Sequence, residues 1–413
     1  MFVHDTAGDS SVAKNGRVSR NGAHACAGRA VTAMPPGGAT PLRILHVTES
    51  ARGGVGTYLN QTLPELHDWH DAAGRPGTMR VVIPAEHRFM LTHVPDDAVA
   101  TYERGERGAG PLLRLAAASW REIRAFRPQV VHLHSTFAGL VVRPLVLLAR
   151  LIFRMKIAVV YSPHGWAFQI TGSRRRQQAI VAIERALTLL TDRIVVLSDA
   201  ERRECLGHGF PAAKLVRIYN GISREGAEPA RAQWHDERLK VFFVGRFDRQ
   251  KGVDTLMTAA AAARDRMCVR CAGASVVDDG TPLAVPDNVE LLGWLDEAQI
   301  AGQMALADVV AIPSRWEGFG LVAAEAMRAR LPVVASRVGG LPEVVEDGVT
   351  GRLVPPDDPD ALRDALLADG PAERARMADA GRARFLALFT ARHSASQVGD
   401  VYREVLARLP TTT

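Results

Sequence analysis

Two glutamates eight residues apart, Glu317 and Glu325, are the side chains of this sequence best placed to do chemistry. They lie in the stretch SRWEGFGLVAAE at 314–325. The apolar run 307–312 reads as a strand that stops at Pro313, and 321–330, rich in Ala, Leu and Met, reads as a helix. Between them, Gly318 and Gly320 let the backbone approach a ligand closely, and the unpaired amides of the helix's first turn face the same space. Glu325 is embedded among Val322, Ala323, Ala324, Ala326 and Met327, where a lone carboxylate needs a partner. Eight helical residues span about 12 Å, roughly two turns, so both carboxylates can line one side of a cleft. That is the reach of a sugar joined through two phosphates to a ribose, and a carboxylate accepting vicinal hydroxyls is a natural anchor at either end.

A set of cations and glycines complements the carboxylates. The strand pattern 241–244 runs into Gly245, Arg246 and, past a short turn, Lys251 and Gly252, before a helix from Val253. Arg246 and Lys251 thus flank a strand-to-helix turn, where backbone amides and two cations welcome an anion; solvated surface charge is the competing reading. Near the other end, Gly53, Gly54 and Gly56 separate the strand 43–47 from the helix 57–66, an arrangement that lets phosphate approach. It is no dinucleotide fingerprint, because Leu59 stands where the third glycine is required. The buried strand 130–135 carries His132 and His134 toward its carboxyl end, where open parallel sheets bind ligands.

Strands alternating with helices make this an α/β chain. Its 413 residues imply two domains, and a 47% hydrophobic content implies globular cores. The expected division is 41–221, a linker at 222–238, 239–389, and a last amphipathic helix at 390–409 that crosses back onto the first domain. The first forty residues, rich in Gly, Ala, Ser and Arg, lack the apolar centre of a signal peptide and read as a disordered leader, with Met34 a candidate start. No run of apolar residues is long enough to span a membrane. Few, scattered cysteines (Cys26, Cys205, Cys268, Cys271) indicate a reducing compartment. Cys268 and Cys271 have metal-like spacing but sit in a strand, pointing to opposite faces, and read as buried thiols. Asp357 and Asp358 before Pro359 read as a helix cap and not as a metal site.

The Glu-Gly-Phe-Gly-Leu…Glu pattern of Glu317 to Glu325 resembles the signature of the retaining family 4 glycosyltransferases, and the resemblance runs from Arg43 to about Leu409. It implies a GT-B fold, two facing Rossmann-like domains with parallel sheets and a cleft between them. It implies that Arg246 and Lys251 clamp the diphosphate of a nucleotide sugar, and that Gly53 and Gly54 close over that diphosphate. Gly318, Phe319, Gly320, Leu321 and Glu325 then bind the donor, Glu317 holds the sugar, and Trp294 and Leu295 hold the base through backbone groups. His134 lies near the donor sugar, with His132 as packing. His164 and Gly165 form a turn on the acceptor side, and Asn220 belongs to an Asn-Gly turn before the linker. The resemblance implies no cofactor beyond the nucleotide sugar co-substrate, and it supplies no protein nucleophile.

The acceptor is read from the first domain. Residues 41–228 carry 25 Lys+Arg against 17 Asp+Glu, whereas residues 229–413 carry 22 against 26. A basic half suggests an anionic partner. In the helix pattern 139–156, Arg143, Arg150 and Arg154 fall on one face among apolar residues; this suits an anionic membrane surface, or else a core helix with one solvated basic edge. Trp166, Phe168 and Ile170, followed by Arg174, Arg175 and Arg176, suit a lipid-linked, phosphorylated glycan acceptor, or else an ordinary loop packing its aromatics. The expected place is the cytoplasm, peripheral at the inner face of the membrane. Two other classes compete: a Rossmann oxidoreductase, which lacks its fingerprint, and a nucleic-acid-binding protein, which leaves Glu317 and Glu325 unexplained.

Overall fold

A computed structural model of the chain describes residues 41–51, 53–67, 69–71, 74–105, 109–169, 173–275 and 283–409. The leader, Met34, Cys26 and Ile170 lie outside them. The N-terminal lobe runs β1 (Leu42–Thr48), α1 (Gly54–His67), β2 (Gly77–Pro84), β3 (Val99–Tyr102), α2 (Ala109–Phe126), β4 (Val130–His134), α3 (Thr136–Ile152), β5 (Ala158–Ser162), α4 (Arg174–Leu187), β6 (Arg193–Val196), α5 (Asp199–Gly207) and β7 (Leu215–Arg217). The C-terminal lobe runs β8 (Leu239–Val244), α6 (Val253–Ala261), β9 (Met267–Ala272), β10 (Val289–Gly293), α7 (Glu297–Met304), β11 (Val309–Ile312), α8 (Leu321–Arg328), β12 (Val333–Ser336), α9 (Leu341–Val344), β13 (Gly351–Val354), α10 (Pro359–Leu367) and α11 (Pro371–Leu388), followed by α12 (Ala391–Ala407).

Seven strands in the order β3-β2-β1-β4-β5-β6-β7 and six in the order β10-β9-β8-β11-β12-β13 form two sheets, each parallel throughout. Helices cover both faces of each, which is why the strands read as near-continuous runs of Val, Ile and Leu. The strand order reverses between β1 and β4 in one sheet and between β8 and β11 in the other. At such switch points a crevice opens beyond the strands' carboxyl ends, and the loops that leave those ends carry Gly53, Gly54, Arg246, Lys251 and Glu317. Cys268 and Cys271 are free and buried, and pack into the separate cores on the two faces of the second sheet.

The chain crosses between the lobes at Ile222 and again at Thr390, where the two passages pair. The Ile222 amide donates to the Phe389 carbonyl at 3.0 Å and the Ala391 amide donates to the Ile222 carbonyl at 2.7 Å. Gly221 is required here, since a Cβ would overlap the Thr390 carbonyl. After this crossing α12 packs on α1, and its Val398, Tyr402 and Val405 enter the same core as Ile44 and Tyr58. The Asp358 carboxylate accepts from the Ala361 amide at 2.9 Å and caps α10, while Asp357 pairs with Arg315. Asp358 is thus the helix cap that the sequence led us to expect.

Helix α3 departs from expectation. Arg143 is fully buried, its guanidinium bonded to Glu184 of α4 at 2.7 Å and to the Gly139 carbonyl at 2.7 Å, and stacked over the Tyr161 ring. Gly139 makes room for this, since a Cβ would meet both the Tyr161 ring and the guanidinium. Arg150 turns inward too, donating to the Ile157 carbonyl and to Asp192 at 2.9 Å. Of the expected basic face only Arg154 is exposed. A buried guanidinium is stable only when paired and hydrogen-bonded, and here the interior supplies a carboxylate, a carbonyl and an aromatic face.

Candidate active site

In the C-terminal lobe the strand ends converge on the predicted anion turn. Gly252 caps α6 in a left-handed conformation with its Cα against the Pro313 carbonyl, leaving no room for a side chain. This holds the β8–α6 turn against the loop that carries Glu317. Lys251 and Glu317 form an ion pair at 2.6 Å, and the Ser314 hydroxyl donates to the same carboxylate oxygen at 3.4 Å. Arg246 pairs with Asp248 at 3.0 Å and donates to Gln250 at 2.8 Å. The two cations expected to meet a diphosphate are thus present and held by carboxylates, Lys251 partly buried and Arg246 exposed.

The glycines around Glu317 have separate duties. Gly320, at φ 98°, caps α8 and lies so close to Leu341 that a Cβ would collide with it. Gly339 and Gly340 press on the same loop, and the Gly340 amide donates to the Glu317 carbonyl at 3.1 Å. Gly318 faces open space. From the other lobe Gly54 approaches, its missing Cβ position 3.3 Å from Leu321, so the two glycine loops meet across the cleft. Glu325 sits on α8 little more than one turn past the Gly320 cap. Of the stretch from Glu317 to Glu325 only the part from Leu321 is helical, so the expected two helical turns between the carboxylates are not formed. Burial pushes its carboxyl up to about 7, opposed by Arg328 and Lys251. At the ends of β8, β9 and β10, Gly245, Gly273 and Gly293 crowd together, the Gly273 amide donating to the Gly293 carbonyl at 2.7 Å; the next residue, Trp294, is 65% exposed.

The N-terminal lobe contributes neutral groups. His46, His132 and His134 share one face of β1 and β4, with His46 opposite His132 in the register. His46 Nδ1 and His134 Nε2 share a hydrogen bond of 3.0 Å, and His134 Nδ1 and His164 Nε2 another of 3.0 Å. His132 is bound on both sides, at 2.6 Å to the Tyr402 hydroxyl and at 2.8 Å to the Ser162 hydroxyl. Burial lowers all four imidazoles, His46 to about 3 and His164 to about 4, with repulsion among the rings adding to the drop in His132 and His134. Nitrogen atoms of His46, His132 and His134 lie within 4.8 Å of one another, the one such cluster among the described residues that could hold a metal. Any ion there would have to displace the bonds that occupy His132 and His134.

Several expected roles need correction. His134 has both ring nitrogens engaged and is fully buried, so His164 is the member of the chain nearer the surface; its backbone is left-handed (φ 54°) and its Nδ1 has no partner. Trp166 is 1% exposed and packs in the lobe core against Tyr161, Phe168 and Phe210. Phe319 is equally interior, packed on Tyr219 and Phe389. Asn220 is buried at the paired crossing and not on an acceptor surface. In each case the chain turn predicted for the site is there, but the aromatic or amide it carries faces the core.

Other functional positions were not anticipated. A cavity of about 880 Å³ lies between the lobes, with Gln169, Gln177, Gln178 and Arg185 on one wall and Trp316 and Glu317 on the other. Glu343 of α9 reaches across the cleft to accept from the Asp199 and Ala200 amides, both at 2.8 Å, and from the Tyr219 hydroxyl at 3.2 Å. A carboxylate is well matched to the N-terminus of α5, and the sequence signal was available, a glutamate on one helix-opening turn and Ser198-Asp199 on another.

Comparison with known proteins gives the family and the fold. The model described as Glycosyltransferase Family 4 matches residues 52–225, and that described as Glycosyl transferases group 1 matches 238–368. An uncharacterized 41.2 kDa protein in cps region of Klebsiella pneumoniae is 31% identical over 321 residues, 76% of this chain and 86% of that one. Alpha-maltose-1-phosphate synthase of Mycobacterium tuberculosis is 36% identical over 258 residues, 54% of this chain and 66% of that one. The crystal structure of Anabaena Alr3699/HepE in complex with UDP-glucose superposes with a TM-score of 0.72 at 21% identity, covering 88% of this chain and all of that one, and shares the GT-B fold. The chain belongs to glycosyltransferase family 4 and is a glycosyltransferase.

Proposed function

We propose that the enzyme moves a hexosyl unit from a UDP- or GDP-sugar to a hydroxyl of a lipid-linked glycan in cell-surface polysaccharide or glycolipid synthesis, with retention at the anomeric carbon. The observation that carries this reading is the Lys251–Glu317 ion pair on the wall of the interlobe cavity. A diphosphate arriving at the β8–α6 turn competes with Glu317 for Lys251. The exchange releases the carboxylate to accept sugar hydroxyls, so binding the donor assembles both halves of its own site. As the diphosphate departs, Lys251, Arg246 and the first-turn amides of α8 neutralise its growing charge. The neutral His164, its Nδ1 unpartnered and its Nε2 held by His134, supplies an imidazole nitrogen suited to an uncharged hydroxyl. In this scheme a donor phosphate oxygen draws off the acceptor proton on the face the diphosphate leaves, and Glu325 anchors the ribose.

The Mycobacterium tuberculosis relative is named for a sugar phosphate product and the Anabaena structure holds UDP-glucose, which supports a nucleotide-sugar donor. The clamp is built from side chains and amides, so activity is expected to persist in a strong chelator. A second reading, transfer to a soluble acceptor, is favoured by the glutamines of the cavity wall. The test is a screen of UDP- and GDP-sugars by thermal stabilisation, followed by transfer assays on glycolipid and free oligosaccharide acceptors with the product anomer read by NMR. Failure of every nucleoside diphosphate to stabilise the protein, or an inverted product, would overturn the proposal.

A further inference from the structure

The arginines of α3 point inward, and what they leave outside is a ridge of large apolar side chains. Phe137, Leu140, Leu147, Leu148, Leu151 and Ile152 succeed one another at helical spacing along one face, with Leu151 69% exposed. On the helices that contact α3, Leu113 of α2 and Ile183 of α4 are exposed as well, and Leu189, in the turn after α4, is 82% exposed. Soluble surfaces scatter such residues singly; a continuous set along one helix marks an interaction site. No helix among the described residues is long and apolar enough to cross a membrane, so the face is one that lies on something.

Charge selects what covers it. Helices α2, α3 and α4 together contain only two acidic residues, Glu122 and Glu184, and both are buried in ion pairs, with Arg80 and Arg143. Exposed cations on and next to these helices, away from the cavity, include Arg121, Arg124, Arg154, Arg175 and Arg176. An apolar strip with a cationic rim and no exposed carboxylate on its helices is complementary to an anionic lipid bilayer, whose acyl region takes the leucines and whose headgroups take the arginines. Helix α4 then stands between bilayer and cleft. Its Arg174, Gln177, Gln178 and Arg185 line the interlobe cavity, while Ile183 points to the opposite side.

We infer that the outer face of α3 docks this enzyme on an anionic bilayer by shallow insertion of its leucines, placing the mouth of the acceptor cavity at the headgroup level. The inference deepens the reading of a lipid-linked acceptor and is independent of the donor chemistry. The test uses the full chain in flotation with phosphatidylcholine vesicles, with and without phosphatidylglycerol. Wild type is expected to float with the anionic vesicles, and Leu151→Glu to lose roughly tenfold or more in partitioning, the order expected for one leucine no longer buried. Leu151 makes no core contact, so the variant should fold, and unchanged thermal melting checks this. As a second readout, Leu151→Cys carrying an environment-sensitive dye should shift its emission to the blue on anionic vesicles. Wild type left unbound by anionic vesicles at low salt overturns the inference, as does a dye that reports water in the bound state. A concentration-dependent dimer dissociated by Leu151→Glu, with no vesicle binding, would assign the ridge to a second copy of the chain and equally overturn it. UDP and GDP stabilisation of the wild type, measured without vesicles, reports the donor site alone, so failure there is separable from failure on lipid.

Discussion

The two crevices of the molecule solve opposite electrostatic problems. On one face of β1 and β4, and just past the end of β5, stand four imidazoles kept neutral by burial, bonded to one another and to the Tyr402 and Ser162 hydroxyls. Beyond β8 and β11 stand Arg246, Lys251 and Glu317, each in an ion pair, with Lys251 and Glu317 partly buried and Arg246 exposed. A low dielectric penalises net charge, so the first crevice can offer only neutral donors and acceptors, whereas the second keeps charges because each has a partner that a ligand can replace. The comparison gives the proposed function a division of labour to test, with the anionic end of the donor assigned to the second crevice and hydroxyls to the first.

The sharpest way to break that division is to remove charge from the second crevice. Lys251→Ala is expected to lower kcat/KM by roughly 100-fold, the cost typical of losing one preorganised group that meets developing charge. Glu317→Ala should depress turnover more than donor affinity, because Lys251 is left free for the diphosphate while the sugar loses its anchor. Steady-state kinetics with the best donor separate the two. Equal losses in both parameters for both variants would mean that the ion pair is a structural strut and that the charged crevice has no separate task.

The neutral crevice is tested by acid. His46, His132, His134 and His164 have folded pKa values below the unfolded 6.5, so below that pH the unfolded chain takes up protons that the folded chain refuses, and stability falls as pH falls. Glu325 and Glu201, both pushed up to about 7, work the other way, because between 4.5 and 7 the folded chain keeps protons that the unfolded chain has lost. Four histidines against two glutamates leave a net loss on the order of 2 kcal/mol between about pH 6.5 and about 5.5. Urea midpoints across that range measure it. A flat profile would mean the imidazoles accept charge in the fold and the contrast between the crevices is false.

The charged crevice was legible in the sequence and the neutral one only in part, for a physical reason. Residues 314–325 announce themselves locally: a strand stop, glycines, a carboxylate, then an Ala-rich helix, all within one turn of chain. His132 depends on Tyr402, 270 residues away, a partner that no local pattern indicates. Helix α3 shows the same limit more severely. Its apolar and basic stripes were both visible, but which faces inward is decided by Glu184, 41 residues on, and by the Tyr161 ring. The short β3 and β13 were not anticipated: VATY and GRLV lack the unbroken apolar run by which the equally short β11 is legible. Trp166 and Phe319 were placed in the cleft because they neighbour true cleft residues; in both, the loop turns its aromatic ring back to the core.

A smaller effect sharpens the role of Glu325, which shares the second crevice but resembles the first in being driven toward neutrality. Glu325→Ala is expected to weaken donor binding by roughly tenfold, about one charge-assisted hydrogen bond, with little change in turnover. Isothermal titration with the nucleoside diphosphate alone measures it, since the ribose anchor does not require the sugar. Affinity lost only for the intact nucleotide sugar would move Glu325 to the sugar end.

The smallest expected effect reports how the lobes are joined. Helix α12 begins at the second crossing, after the C-terminal lobe is complete, yet Tyr402 lies in the N-terminal core with its hydroxyl 2.6 Å from His132 Nδ1. Tyr402→Phe keeps the ring and its packing against Trp69 and removes only that bond, leaving a buried nitrogen unpaired at a cost of about 1 kcal/mol. Because His132 is neutral, the loss should be the same at pH 7 and pH 8 by urea denaturation. His132→Phe combined with Tyr402→Phe should then cost less than the two single changes summed, as the orphaned partner is gone in the double variant. Additive losses would show that the two side chains act independently, and that α12 is held to the N-terminal lobe by apolar packing alone.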